Sequence, residues 1–577
     1  MPLEQDKQGG FKFSIDQELK TGVYKDIFSR QAPFWRDGSN IVFTQFGVAK
    51  IPGWQQVYDT ANGEPIRGLL PRNEGGVRAV YLGDLTTLYR VDVDTAIGEP
   101  LGSGYSLAAD AGGSVWDSGT STWDAGSTIF DDGLIEADHW SIINYGEFVL
   151  ATNGRDSPQI RKGFGKFVPM VGGVTGIFVT TPGTGYVAGD ILTLTGGSGT
   201  GATAKVLSVG GGGSILTIGM EAGGTGYTTA PTGFTGGTGT GAAFTFTVCD
   251  MDVDQVKIFT KRGPHILGFN TSASGREFIW SDADDPDTWV TTASNLAGAL
   301  EIRELDSEII AVAPLGSRIA VYGSDQMFLV NYLGNDLVFG YQPALSGLGA
   351  VSPQAVVAVG PRNFGLSRQG FFVTDGASFD YIDKEIRPWV EQNAAAGQLS
   401  KATALHDEAN KQIRWYFPTD SVGITEGVTY NYELGVWAFV LGDRSAGVGR
   451  GVLPTPVTGT EGGLLLFENS GVNGGSTAIE ALLTSKPLDL GNADLVKELA
   501  SLRVGHVGTG LTYRVGWSET ENGAPVYTDW VPIERGFEFQ NLRTAGRWLH
   551  LGFRSAALNA NWEIMSLEIQ GRAEGTR

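Results

Sequence analysis

Most of the chain alternates short runs of β-branched and aromatic residues with turn residues. Paired runs separated by a turn predict hairpins at residues 79–91, with Gly83-Asp84 at the turn, at 140–152, with Tyr145-Gly146, and at 256–270, with Arg262-Gly263-Pro264. Such runs, bounded by Gly, Pro, Asn and Asp, are typical of antiparallel strands. Helical periodicity is sparse, and the best helix candidate lies at residues 383–393. The pattern therefore predicts an all-β protein.

The strand groups recur at a spacing that suits a β-propeller. Once residues 171–248 are set aside, comparable groups start near residues 79, 140, 256, 309, 356 and 403. Four-stranded units of about 40 to 50 residues are what propeller blades need, because one twisted sheet cannot bury both faces until neighbours stack around an axis. We therefore expect about six blades, with residues 464–467 or the opening hairpin at 35–54 closing the ring.

Residues 171–248 and the last hundred residues depart from this spacing. The first segment is rich in Gly and Thr and contains a duplication, in which Gly183-Thr184-Gly185-Tyr186 recurs as Gly224-Thr225-Gly226-Tyr227. No Lys-Ser or Lys-Thr follows these glycines, so they do not form a phosphate-binding loop. The prediction is an N-terminal segment with the first blades at 1–170, an inserted duplicated β domain at 171–248, the remaining blades at 249–477, and a C-terminal antiparallel sandwich-like domain at 478–577.

Composition and charge narrow the classes of function. The chain has 577 residues, 85 of them Gly, and a formal net charge of −22. Extended nucleic-acid binding needs clustered Lys and Arg, so tight DNA binding is disfavoured. The single cysteine, Cys249, cannot form an internal disulfide. Without a signal-like start or a run of about eighteen apolar residues, we expect a soluble protein made in a cytoplasm, with no membrane-spanning segment.

The acidic residues are unevenly placed. Residues 91–140 contain ten acidic side chains and no Lys or Arg, and an aromatic-Asp-x-Gly unit repeats there at 116–119, 123–126 and 130–133. The glycines argue against a heptad coiled coil and favour a string of tight turns. A solvated loop and a specific role both remain open for this block. A calcium site is a further alternative, although no Glu closes a binding loop.

Three sequence motifs together resemble a known family. They are Trp35-Arg36-Asp37-Gly38 with Ile51-Pro52-Gly53-Trp54, the stretch from Trp280-Ser281-Asp282 through Pro286 to Trp289, and Gly546-Arg547-Trp548-Leu549-His550-Leu551. In this order along a propeller-like chain, they resemble the tail nozzle proteins of short-tailed bacteriophages, also called tail tubular protein B or packaged-DNA stabilisation protein. The likeness spans most of the chain outside residues 171–248.

The resemblance implies a structural virion protein. Such a protein is assembled in the host cytoplasm and forms a homo-hexamer ring at the distal end of a short tail, next to the tail adaptor protein and to tail fibres or a tail plug or needle protein. The ring continues the channel for double-stranded DNA without sequence-specific binding, retains the packaged genome and allows its ejection. Acidic walls would let a polyanion slide. We therefore hypothesise that the lumen is lined by the aspartates Asp92, Asp94, Asp117, Asp124, Asp131, Asp132 and Asp138.

Enzymatic and binding functions are alternatives to this interpretation. The stretch from Ser281 to Trp289 is loosely like the Asp-box turn of propeller sialidases, but it occurs once and has Pro286 where Gly is usual. The five histidines show no zinc-binding spacing, and the Asp250-x-Asp252-x-Asp254 run lacks the Gly and Glu of a calcium loop. We therefore predict no enzyme, no catalytic or metal-binding residues and no cofactor. The alternative is a propeller that binds glycans as a receptor-binding protein or hydrolyses them as a glycosidase.

Overall fold

The computed structural model describes residues 4–5, 10–15, 18–24, 34–105, 139–334, 337–419, 423–490, 493–533 and 535–574. The all-β prediction is confirmed in these residues. Their one α-helix, Arg387–Asn393, lies within the segment that the sequence indicated, and 3-10 turns occur at Glu18–Lys20, Gly211–Gly213 and Ala396–Lys401. No helix in these ranges is long and apolar enough to cross a membrane.

Seven four-stranded antiparallel sheets in the described ranges form the blades of a β-propeller. From the axis outward, blade 1 contains Gly68–Glu74, Val77–Gly83, Thr87–Asp92 and Ile97–Ser103, and blade 2 contains Ser141–Tyr145, Phe148–Thr152, Gln159–Lys162 and Val168–Pro169. Blade 3 contains Val256–Arg262, His265–Thr271, Glu277–Trp280 and Gly298–Glu301; blade 4 contains Ala311–Leu315, Arg318–Tyr322, Gln326–Tyr332 and Phe339–Ser346; and blade 5 contains Val356–Val359, Arg362–Ser367, Gly370–Thr374 and Phe379–Tyr381. Blade 6 contains Thr403–Asp407, Gln412–Pro418, Ile424–Asn431 and Val436–Leu441, and blade 7 contains Arg444–Val448, Val457–Thr460, Leu464–Glu468 and Trp54–Asp59.

The innermost strands close a ring. Each contacts the innermost strand of the next blade, and that of blade 7 contacts that of blade 1. Blade 7 takes its outermost strand, Trp54–Asp59, from near the N-terminus, where it pairs antiparallel with Leu464–Glu468. The count of about six blades was one short, because blade 7 has only three strands in the sequence that follows blade 6. Its closing strand lies about 400 residues earlier in the sequence, and joining the first and last strands of the propeller in one blade seals the ring.

The insertion folds into two small sheets between blades 2 and 3. Val174–Thr184 pairs with Thr240–Val248, while Gly233–Gly236, Ile191–Thr195, Thr203–Val209 and Ile215–Ala222 form a four-stranded sheet. The duplicated motifs pack reciprocally. A Cβ at Gly239 would lie 2.3 Å from the Tyr186 ring, and one at Gly199 would lie 2.4 Å from the Tyr227 ring. Each repeat thus buries its tyrosine against the glycine-rich loop of the other, and both tyrosines are buried.

The C-terminal domain consists of two sheets that share a core, and the N-terminal strands complete both. One sheet orders Glu4–Gln5, Gly10–Ile15, Asn561–Glu574, Val496–Thr509 and Phe539–Gly546, with Ile41–Phe43 and Val48–Lys50 joined to Asn561–Glu574. The other orders Trp35–Ser39, Ala481–Ser485, Trp548–Ser555, Thr512–Ser518 and Val526–Tyr527, with Val531–Pro532 beside Thr512–Ser518. The strands before residue 51 therefore belong with residues 478–577 rather than with the first blades. The core of this domain is continuous with that of blades 5 and 6.

Candidate functional site

The first resemblance motif belongs to the scaffold. Trp35 is fully buried, and its indole Nε1 donates to the carbonyl oxygen of Leu19 at 3.0 Å. Asp37 accepts a hydrogen bond from the backbone N–H of Gly38 at 2.8 Å. A Cβ on Gly38 would lie 3.0 to 3.1 Å from three apolar side chains. These residues hold an edge of the sandwich together, and none of them lines the two cavities described below.

Gly53 and Trp54 join the sandwich to blade 7. A Cβ at Gly53 would lie 2.2 Å from the carbonyl oxygen of Asn473, so the position accepts only glycine without a backbone shift. The Trp54 ring is half-buried, and the Arg444 guanidinium lies 4.6 Å from its centroid. A cation above an indole face is a stabilising arrangement. Trp54 is therefore packed rather than presented to a ligand.

The Trp280–Trp289 stretch is a turn of blade 3 whose polar side chains form hydrogen bonds with nearby backbone. Asp282 accepts backbone N–H bonds from Ala283 and Leu296, each at 2.8 Å, and buried Ser281 accepts one from Ile266 at 3.1 Å. Trp289 donates from its indole to the carbonyl oxygen of Pro286 at 2.8 Å, while Trp280 donates to that of Leu296 at 2.7 Å. The polar groups are used by neighbouring backbone, as expected of a structural turn.

Two of the seven aspartates proposed to line a channel lie in the described ranges. Asp92 accepts backbone bonds from Asp94 and Thr95 at 3.0 and 3.1 Å, and Asp94 forms an exposed ion pair with Arg78. Asp92 ends the third strand of blade 1, and Asp94 lies in the turn that leads to the fourth strand. Asp117, Asp124, Asp131, Asp132 and Asp138, together with the aromatic-Asp-x-Gly repeats, lie outside the described residues, and the lumen hypothesis stays a prediction.

A polar cavity of about 320 Å³ lies among the innermost strands. His139 is buried on its wall, and its Nε2 lies 2.8 Å from the carbonyl oxygen of Ser400 and 3.2 Å from the Ser352 hydroxyl. Burial lowers the pKa of His139 to about 4, with the Arg67 charge acting in the same direction. A neutral imidazole that already bonds to the segments before blades 5 and 6 stabilises the ring and lacks the poised proton of a general acid.

A larger cleft of about 970 Å³ lies between blades 1 and 2 and the insertion, and we call it the interblade cleft. One wall is the hairpin that joins the first two strands of blade 1, and the opposite wall is the insertion strand Ile215–Ala222 with its neighbour Thr203–Val209. The turn at Phe164-Gly165 of blade 2 lies between them. Gly165 and Gly219 approach so closely that a Cβ on Gly219 would lie 2.5 Å from Gly165 Cα. This backbone contact fixes the insertion against blade 2.

Three guanidinium groups surround one carboxylate in this cleft. Arg90 Nε donates to Glu74 at 2.7 Å, and nitrogen atoms of Arg161 and Arg72 lie 3.7 and 3.8 Å from the same carboxylate. Tyr81 donates its hydroxyl to Glu74 and accepts a bond from Arg161 at 2.6 Å. Burial alone would raise the pKa of Glu74, but the bonds from Tyr81 and Arg90 and the nearby positive charges hold it below its usual value. Glu74 is thus a fixed anion within a cationic cluster.

This arrangement suits binding better than covalent chemistry. Burial raises the pKa of the Tyr81 phenol, so the hydroxyl stays protonated and is a poor nucleophile. Arg90 and Arg161 are engaged by Glu74, whereas a sialidase presents its arginines to the substrate carboxylate. Arg72 differs from them, because its Nη1 is buried and has no hydrogen-bond partner among the described residues. Within those ranges no group of three His, Cys, Asp or Glu side chains could hold a metal ion.

Sequence reasoning did not identify the interblade cleft. The four charged residues of its cluster, Arg72, Glu74, Arg90 and Arg161, come from three strands of two blades, and Arg161 lies 87 positions after Glu74. The available signal was charge within apolar strand runs, as for Arg90 between Tyr89 and Val91. In an alternating strand such a residue marks the face turned away from the core. That signal does not say which of these faces meet.

Comparisons with known proteins do not assign a family. No protein-family model matches the chain, and a search of curated proteins finds no match. Among solved structures, the chain is similar to the computationally designed Ika8 protein, with 11% identity, a TM-score of 0.33, and coverage of 72% of this chain and 99% of that one. It is also similar to apo AztD from Citrobacter koseri, with 10% identity, a TM-score of 0.30, and coverage of 71% and 93%.

A third similar structure is the exo-beta-1,3-galactanase of Phanerochaete chrysosporium solved with galactose, with 10% identity, a TM-score of 0.18, and coverage of 75% and 96%. At TM-scores this low, none of the three likenesses bears on function.

Proposed function

We propose that the chain is a structural subunit of a short bacteriophage tail. Six copies form the distal nozzle ring, continue the DNA channel, retain the packaged genome and release it on infection. The ring contacts the tail adaptor protein and tail fibres or a plug protein. The proposal starts from the likeness of the three motifs to tail nozzle proteins.

The observation that carries the proposal is that the motif residues have structural roles in the fold. Trp35, Gly53, Trp54 and the Trp280–Trp289 turn all serve packing, close backbone approach or turn formation. Residues that distinguish an enzyme family are usually grouped at a reacting centre, whereas these lie at three separate joints of the scaffold. Motif residues with such roles favour a structural protein over an enzyme.

The charge supports the same proposal. A chain of net charge −22 repels phosphates, so a ring of such chains favours sliding of DNA over retention on the wall. Replacing Asp117, Asp124 and Asp131 with Lys is expected to slow genome release, and Asn at the same positions is the control that removes charge without reversing it. Unchanged ejection kinetics in the Lys variant contradict the lining role of these aspartates.

Assembly provides the direct test. Six copies of this 61.2-kDa chain form a particle of about 370 kDa, measurable by sedimentation and visible as a ring in negative stain. The expected result is that ring, formed by the purified chain or after addition of the adaptor protein. A chain that remains monomeric with the adaptor present contradicts the proposal.

The glycan-directed alternative is favoured by one observation, the interblade cleft. Hydrolysis of an oligosaccharide by the purified chain, abolished by Glu74→Gln, would favour a glycosidase over the nozzle ring. Binding without hydrolysis is compatible with both a receptor-binding propeller and a tail subunit.

A further inference from the structure

We propose that the interblade cleft binds a saccharide that carries carboxylate groups. The cleft has the volume of a ligand site, which is commonly about 300 to 1,000 Å³. The inference concerns one isolated chain and does not depend on the ring.

The walls of the cleft are held in fixed positions. Lys166 donates its backbone N–H to the carbonyl oxygen of Met220 at 2.8 Å, beside the Gly165–Gly219 contact. Lys162 of blade 2 and Asp287 of blade 3 form a buried ion pair. Thr175 of the insertion donates a hydrogen bond to the same Asp287 at 2.9 Å, so this pair also anchors the insertion to both blades. A site whose walls are already ordered loses little freedom when a ligand binds.

The cleft offers unused hydrogen-bond donors to an anion. Arg72 donates from Nη2 to the carbonyl oxygen of Gly146 at 3.3 Å, which orients the guanidinium and leaves its buried Nη1 without a partner in the described ranges. The side chain of Lys205, on the insertion wall, makes no hydrogen bond or ion pair with described residues. A guanidinium on one wall and an ammonium on the other are the donors that a carboxylate group requires.

The remaining lining favours a sugar over a nucleic acid. Exposed Glu99 and Glu147 lie on the blade side of the cleft, where they can accept bonds from hydroxyl groups but would repel successive phosphates. Phe164 is 60% exposed at the cleft and presents an apolar ring for the C–H face of a sugar. A ligand that carries hydroxyls beside its carboxylates matches this mixture, because its hydroxyls can donate to the glutamates while its carboxylates accept from Arg72 and Lys205. The phosphodiester backbone of DNA has no such donors.

Calorimetric titration of the full chain with hexagalacturonate and with neutral maltohexaose tests the proposal. We expect saturable binding of the uronate and at least tenfold weaker binding of the neutral hexamer. Arg72→Ala and Lys205→Ala should each weaken uronate binding by about tenfold, the size expected for loss of a charge-assisted hydrogen bond. Arg78→Ala is the matched control, because Arg78 is in the same hairpin but pairs with Asp94 outside the cleft.

Three outcomes overturn the proposal: no saturable binding of the uronate at about 10 mM, equal affinities for the charged and neutral hexamers, or unchanged binding in both cleft variants. Weaker binding by Lys205→Ala cannot be explained by a loss of folding, because the Lys205 side chain has no partner among the described residues. Circular dichroism verifies the fold of each variant. A fourth outcome also overturns it: inorganic phosphate that competes as well as the uronate shows that the cleft holds an adventitious anion only.

Discussion

Replacing Glu468 with Gln tests the charged centre that joins blades 6 and 7. Glu468 is 3% exposed and accepts bonds from Arg444 Nε at 2.6 Å, Thr458 Oγ1 at 2.8 Å and Arg414 Nη1 at 3.4 Å. Arg414 also pairs with Asp407 at 2.8 Å. Burial alone would raise the pKa of Glu468, but the two guanidinium charges outweigh it and hold the pKa below its usual value. The native carboxylate is therefore ionised at neutral pH.

The size of the effect follows from what an amide cannot do at this position. The side chain introduced by Glu468→Gln would keep one acceptor oxygen but turn an NH₂ group toward a guanidinium. Arg414 would keep Asp407, whereas buried Arg444 would keep only the exposed Asp443, 3.1 Å away, as a counter-charge. Breaking a buried ion pair by removing one partner typically costs about 3–5 kcal/mol. The substitution should also weaken the pairing of the closing strand Trp54–Asp59, because Glu468 lies opposite Trp54 in the sheet and the Arg444 guanidinium lies over the Trp54 ring.

Urea unfolding followed by tryptophan fluorescence measures this loss, since Trp415 and Trp437 are buried in the adjoining blade. Glu433→Gln, at an exposed turn of blade 6, is the matched control and should change the free energy of unfolding by less than about 0.5 kcal/mol. If Glu468→Gln lowers the free energy of unfolding by less than about 1 kcal/mol, this explanation is wrong, because removing one partner of a buried ion pair should cost more than that.

Three further substitutions probe packing and protonation. Gly239→Ala should destabilise the insertion by about 1–3 kcal/mol in urea unfolding, because its Cβ would lie 2.3 Å from the Tyr186 ring, whereas Gly211→Ala meets open space and should be neutral. Trp35→Ala should cost about 3–5 kcal/mol in the same assay, and a loss under 1 kcal/mol contradicts its role in the core. His139 has its pKa lowered to about 4 by burial, so the stability it contributes is complete above pH 6.5 and is lost as pH falls toward 4, by about 3 kcal/mol. His139→Gln should therefore flatten the stability curve between pH 6.5 and 4, and identical curves for the two proteins contradict this account.

The sequence allowed the strands to be predicted better than their assembly. Alternation and turn residues are local, so the blade hairpins and the duplicated insertion could be located from residue patterns. The strand Trp54–Asp59 also has a local signature, but nothing in it indicates a partner at Leu464–Glu468. Blade number depends on that single long-range pairing, which is why the count was short by one.

The interblade cleft could not be predicted for a related reason. Arg72 and Glu74 lie on the innermost strand of blade 1, Arg90 lies on the third strand, and Arg161 lies on blade 2. Each is an ordinary charged residue of an alternating strand when considered alone. Their convergence follows from the stacking of blades 1 and 2, which is not encoded by local spacing.

The N-terminal strands make the propeller and the sandwich one mechanical unit. Gly10–Ile15 pairs with Asn561–Glu574, Trp35–Ser39 with Ala481–Ser485, and Trp54–Asp59 with Leu464–Glu468. Each domain therefore includes strands from both its own part of the chain and the N-terminal part. Between the last two N-terminal strands the chain passes through Gly53, which is pressed against the carbonyl oxygen of Asn473. A force applied to the sandwich is therefore transmitted to the closing blade through hydrogen-bonded strands rather than through a flexible linker. Such coupling is what the proposed tail subunit requires, and it gives a physical reason for Trp35 and Trp54 to stand at the two ends of one motif.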